Sequence, residues 1–276
     1  MNWALTISSS ALVSALVSAI ATFVTQNRLA SRKAQLDYEF NARKRLYETV
    51  GPLRFQLLLA ARDLLRRIRA HPGNTWPMDP NEHYARSFIY RLLKPLAIAQ
   101  LIERQMTTSD FSVDSSAVDL VKFALAAPRT LSGSEVLLRH PDADWSSQSQ
   151  HVFFDTSGST ANRMIIEQAD KPPRIIGYGE FVASVPNLRD DPDFGPFADL
   201  FFQCKENLTE KPILWLRIVA YGHTCKQFLD KYAGQIGIKP VNYPAESLLR
   251  YTQDDIIQSR TADYVKRFEE LTSQPF

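Results

Sequence analysis

The chain has 276 residues, a formal net charge of +2 and only two cysteines. That length fits one large domain or two small ones. Cys204 and Cys225 lack CxxC spacing and no His cluster accompanies them, which argues against a zinc or redox centre. None of the ten glycines belongs to a phosphate-cradling loop.

The first segment is apolar and uncharged up to Arg28. Trp3–Val24 is long and apolar enough to cross a bilayer as a helix. A cleaved signal peptide, with Ala19-Ile20-Ala21 as its cleavage site, would need a basic n-region that is missing. The basic residues follow the apolar run instead (Arg28, Arg32, Lys33, then Arg43, Lys44, Arg45). This arrangement favours a retained anchor with a short N-terminus outside and the bulk of the chain in the cytoplasm. Asn2, Thr6, Ser10, Ser14, Ser18, Thr22 and Gln26 recur at every fourth position of this segment. A four-residue step drifts by about 40° round a helix, so the row winds slowly as a packing ridge does. Ala11, Ala15 and Ala19 form a neighbouring row of small residues. Two roles stay open for Asn2, Thr6, Ser10, Ser14, Ser18 and Thr22: packing of helices in a homo-oligomer, and a water-facing pore lining. A ring of helices would serve both.

Residues 28–71 hold eleven Lys/Arg against four acids, a net of +7, leaving 21 basic and 26 acidic residues elsewhere. A basic stalk therefore joins a mildly acidic body. Leu29, Leu36, Phe40, Tyr47 and Val50 recur near heptad spacing over a helix expected at 25–50, with Lys33 and Arg43 interrupting the seam. Gly51-Pro52 is expected to break or bend it. A second helix is expected from Leu53 to Ala70, and a loop over 72–81. The next helix is expected at about Glu82–Met106, kinked at Pro95, and another at Asp114–Ala126, ending before Pro128.

Residues 128–206 show no clean alternation and read as short helices and loops. Within them, Asp155–Thr160 reads as a polar loop capping a helix over Ala161–Gln168. That loop could hold an anion, though capping needs the same residue types. Helices are expected at Phe194–Phe202, Pro212–Tyr232, Ala245–Arg250 and Asp254–Leu271. The fold class is thus mainly all-α: an anchor (1–27), a basic helical stalk (28–71) and a helical cytosolic domain (72–276).

No catalytic constellation and no cofactor or metal site emerges. His223 and Cys225 lie two apart on a helix and point to different sides. Polyanion binding has better support. Arg62, Arg66, Arg67 and Arg69 gather on one helix. Arg86, Tyr90 and Lys94 recur every four residues on the next, with Arg91 adjacent. Arginine on phosphate and an aromatic under a base is the composition that binds single strands. A solvated basic face, or contact with the inner leaflet, uses the same residues.

This layout of anchor Trp3–Val24, basic stalk 28–71 and helical body resembles the membrane effectors of bacterial anti-phage defence, the Hailong type in particular. The resemblance implies an oligomer at the inner membrane whose helices open on infection. It also implies a body controlled by a nucleotide or short single-stranded oligonucleotide, and a nucleotidyltransferase partner encoded nearby. Two other functions compete. A membrane-anchored scaffold or envelope-assembly factor would accept any anchor of the right length. An anchored enzyme would need a nucleophile or metal set that the sequence lacks.

Overall fold

In the computed structural model the chain is mainly helical. The structure describes residues 3–74, 78–79, 81–143, 150–169, 171–202, 204 and 207–273, with side chains from Leu16 onward, that of residue 202 excepted. The fold is built from α1 (Trp3–Ala70), α2 (His83–Met106), α3 (Ser115–Ser132), α4 (Phe154–Arg163), β1 (Ile165–Gln168), β2 (Lys171–Ile175), α5 (Tyr178–Ser184), α6 (Gly195–Phe202), α7 (Pro212–Tyr232), α8 (Ala245–Leu249), α9 (Asp255–Ser259) and α10 (Thr261–Ser273).

Helix α1 is continuous over 68 residues and contains Pro52. The expected break at Gly51-Pro52 is absent. Proline removes one hydrogen bond and crowds the carbonyl four residues back, but packing on both sides of it compensates. Leu46, Val50, Leu53, Leu57, Leu58, Leu64, Leu65 and Ile68 are all buried. Before that packed stretch the helix stands alone. Residues 16–38 are exposed throughout, and the helix before Tyr38 measures about 50 Å at 1.5 Å per residue. The first side-chain contacts with the body are Tyr38 Oη donating to Asp110 at 2.9 Å, Arg43 Nε donating to the Val113 carbonyl at 3.0 Å, and Tyr47 Oη donating to Asp114. Among the described residues no helix is long and apolar enough to cross a membrane. The side chains of the expected span, Trp3–Val24, are described only from Leu16.

The body forms around α2 and α7. Arg67 of α1 meets Ser87 of α2, whereas Leu53 and Leu101 share a cavity wall, so the two helices run antiparallel. Helix α7 is buried along nearly its whole length and touches α1, α3, α8 and α10. Pro212 starts it at a position that needs no N–H. Its buried polar groups are answered by carbonyls: Trp215 Nε1 donates to Leu248 at 2.8 Å and Tyr221 Oη to Leu92 at 3.3 Å. Gly222 lets Tyr243 lie across α7 and donate to the Val219 carbonyl at 2.8 Å, since a Cβ there would fall 2.7 Å from the tyrosine Cζ.

Four further expectations are corrected. Pro128 lies inside α3, which runs on to Ser132. Asp155–Thr160 is helix α4 rather than a capping loop, so the anion-holding loop does not exist. Residues 165–175, expected to be helix and loop, form an antiparallel hairpin that pairs Ile165 with Ile175 and Ile166 with Arg174. The C-terminal helix divides at Arg260 into α9 and α10.

His71 closes α1 into the core. Its Nε2 accepts from Leu208 N–H at 3.0 Å, so the ring proton sits on Nδ1, 3.1 Å from Tyr84 Oη. Burial, and then the charge of nearby Arg67, hold its pKa at about 4 against an ordinary 6.5. A histidine with a depressed folded pKa stabilises the fold fully above the unfolded pKa, and that stability is lost as pH falls from about 6.5 to about 4. The loss across that window is expected to be on the order of 3 kcal/mol. It should appear in urea unfolding at a series of pH values, and His71→Gln should flatten the profile.

Candidate polyanion-binding site

Antiparallel packing brings the last turns of α1 beside the middle of α2. Asp63, Arg66, Arg67 and Ala70 from the first, with Arg91 from the second, line an open hollow of about 380 Å³. Arg66 is exposed and makes the freest contribution. Arg67 donates to Ser87 Oγ at 3.0 Å and lies 4.4 Å over the Tyr84 ring, which fixes its guanidinium at the wall. Arg91 donates to the Ser87 carbonyl at 3.0 Å and also to Ser87 Oγ. One serine thus pins two arginines from two helices. Burial, and then repulsion from Arg67, lower the Arg91 pKa, a sign that the cations crowd one another. An incoming anion would relieve that crowding.

Arg62 turns to Asp63, with Nη2 and Oδ1 2.9 Å apart. Lys94 is partly buried 5.7 Å from the Tyr90 ring, and burial lowers its pKa. Arg69 is exposed but does not line the hollow.

Two expected members belong elsewhere. Arg86 is buried and donates to the carbonyls of Pro186 at 3.0 Å, Val182 at 3.3 Å and Val185. It caps the C-terminus of α5, where orphan carbonyls and the helix dipole both favour a cation. Tyr90 is buried between Tyr178 and Phe181 and donates to the Ile176 carbonyl at 2.9 Å. Neither is open to a ligand, so stacking of a base on Tyr90 is ruled out. The hollow offers charge without an aromatic platform. The spacing of Arg86, Tyr90 and Lys94 marks a row turned largely into the core. The signal for this was present in α2, where Ala85, Ser87, Phe88, Ile89 and Tyr90 surround Arg86 with small or largely apolar side chains.

Of the hydroxyl row, Asn2 to Ser14 have side chains outside the described residues. Ser18 and Thr22 are exposed, and Thr22 Oγ1 donates to the Ser18 carbonyl at 2.8 Å. Thr25 repeats this with Ala21 at 2.7 Å. Such back-bonding satisfies a hydroxyl within its own helix.

Other chemistry resolves into structure. His140, Asp142 and Asp254 gather closely enough to hold a metal ion. However, Asp142 N–H donates to His140 Nδ1 at 3.1 Å, which places the proton on Nε2, facing Asp254 at 3.1 Å. Asp254 also caps α9 by accepting from Ile257 N–H at 2.8 Å. The cluster is therefore a hydrogen-bonded cap. Cys204 and Cys225 are free and buried, and burial pushes both thiols up, the first to about 11.

No family model matches this chain, and comparison with curated proteins and with solved structures returns no significant match.

Proposed function

We propose that this chain is a single-pass, oligomeric membrane effector that permeabilises the bacterial inner membrane under control of a nucleotide or oligonucleotide, in anti-phage defence. The observation that carries this reading is the continuity of α1. One helix runs from the apolar N-terminal segment, through an exposed basic stalk, into the core, and supplies Arg66 and Arg67 to the hollow. An anion seated there touches the same rigid element that holds the anchor. The wider resemblance implies a nucleotidyltransferase encoded nearby as the source of the ligand.

Self-association is supported by the stalk. Leu29, Leu36, Phe40 and Tyr47 are more than half exposed, and at 100° per residue they fall within about 20° of one line. A row of large apolar side chains on a lone helix calls for cover, and copies held parallel in one bilayer would supply it.

Purified in detergent, the chain is expected to run as an oligomer and to carry nucleotide; a monomer with none bound would sink the proposal. Leu36→Asp with Phe40→Asp should shift the oligomer to monomer in light scattering. Ser14→Leu should abolish dye leakage from cells at unchanged expression. Leakage that persists in Ser14→Leu, or with an unrelated anchor of equal length, would favour a scaffold without channel activity.

A further inference from the structure

A second concavity lies about 20 Å along α1 from the hollow, where the helix meets the body. Part of α1, the C-terminal end of α2 and the β1–β2 hairpin enclose about 410 Å³, within the range that holds a small ligand. Its position is unusual. Pro52 and Glu48 both line it, and proline leaves the Glu48 carbonyl without its helical partner. The cavity therefore sits on the turn of this helix that lacks that hydrogen bond.

Its walls are mostly apolar and rigid, made by Pro52, Leu53, Leu101, Pro172 and Pro173. Three carboxamides break them: Gln56, Gln105 and Gln168. Each offers both a donor and an acceptor. Among the described residues, neither Gln56 nor Gln168 gives its amide to a protein partner, and Gln105 receives only a long contact from Thr108 at 3.4 Å. Lys171 is exposed at the rim. Arg174 is not available, because Glu180 holds it through two 2.7 Å bonds.

We propose that this cavity binds a planar heterocycle with an amide-type edge, the chemistry of a nucleobase, with its attached phosphate reaching Lys171. The proline faces suit a flat ring, and paired donors and acceptors on glutamine match such an edge. A hydrocarbon chain would leave the carboxamides unpaired. A sugar alone would set its hydroxyls against Leu53, Leu101 and the prolines. Seated there, the ring packs against the Pro52 turn and couples the ligand to the helix that joins anchor and body. That role rests on the proposed ligand control of the anchor; the binding itself does not.

The test is calorimetric titration of the full chain in detergent with AMP, GMP, CMP and UMP, and with inorganic phosphate. At least one nucleotide should bind saturably. Gln56→Leu with Gln105→Leu should weaken it by about tenfold or more, whereas Arg69→Glu, exposed and outside both concavities, should leave it nearly unchanged. Should the double variant fail to fold by circular dichroism, Gln168→Leu on the exposed hairpin replaces it. Absence of binding by all four nucleotides would overturn the proposal. So would binding that is lost in Arg66→Glu and kept in the glutamine variants, or binding matched by phosphate alone. No membrane enters the measurement, so a failure of the leakage assay leaves its result standing.

Discussion

Arg66→Glu is expected to weaken polyanion binding by about 100-fold. The hollow is open, so the effective dielectric lies between that of a surface pair and bulk water. At about 40, a unit charge roughly 5 Å from a phosphate is worth about 1.7 kcal/mol. Exchanging a cation for an anion counts twice, giving roughly 3 kcal/mol, or about two orders of magnitude. Folding should be untouched, because Arg66 is exposed and a glutamate there would gain Arg62 one turn away. The measurement is fluorescence anisotropy with a labelled ten-nucleotide oligothymidine, at low and at moderate salt. Wild-type affinity should fall steeply as salt rises, and the variant's less so. Arg69→Glu is the matched control: exposed, one turn on, and outside the hollow, it should cost less than about tenfold. Equal binding by wild type and Arg66→Glu would remove the hollow as the site.

This site was half legible in the sequence. The two arginine-bearing helices could be read from their periodicity, and Arg66, Arg67 and Arg91 do converge. What the sequence could not supply is the antiparallel docking of α1 on α2, which decides which rows face each other. It also could not separate a guanidinium in water from one that caps a buried helix end. Arg86 and Arg91 lie on the same helix, yet one answers three carbonyls in the core and the other lines the hollow. The fold divides in the same way. Pro212–Tyr232 was readable to the residue because an apolar run begins at a proline that suits a helix start. The β1–β2 hairpin was hidden because one strand has four residues and the other carries Pro172 and Pro173. Prolines are tolerated there because each strand of a two-stranded sheet has a free edge. Pro52 and Pro128 misled for the opposite reason. Their lost hydrogen bonds are local, and burial of the surrounding turns outweighs them.

Arg217→Ala is expected to destabilise the body by about 4 kcal/mol. The residue is fully buried on α7 and donates to the Leu131 carbonyl at 3.2 Å and the Gly133 carbonyl at 2.7 Å; its Nη2 lies 3.3 Å from His151 Nδ1. Burial lowers its pKa to about 10, which still leaves it charged at neutral pH. The charge is tolerated because α3 ends on it, presenting orphan carbonyls and the negative end of a dipole. Alanine would strand those carbonyls at roughly 1–3 kcal/mol each and leave a cavity besides. Methionine would refill the volume and also remove the cost of burying a guanidinium, so Arg217→Met should lose only about 2 kcal/mol. Urea unfolding by circular dichroism gives both values. The ordering matters more than either number, because an arginine retained only for charge would make the two variants equally unstable. Oligothymidine binding by folded Arg217→Met should match wild type. That would separate the arginines that close helices in the core from the three that face the hollow.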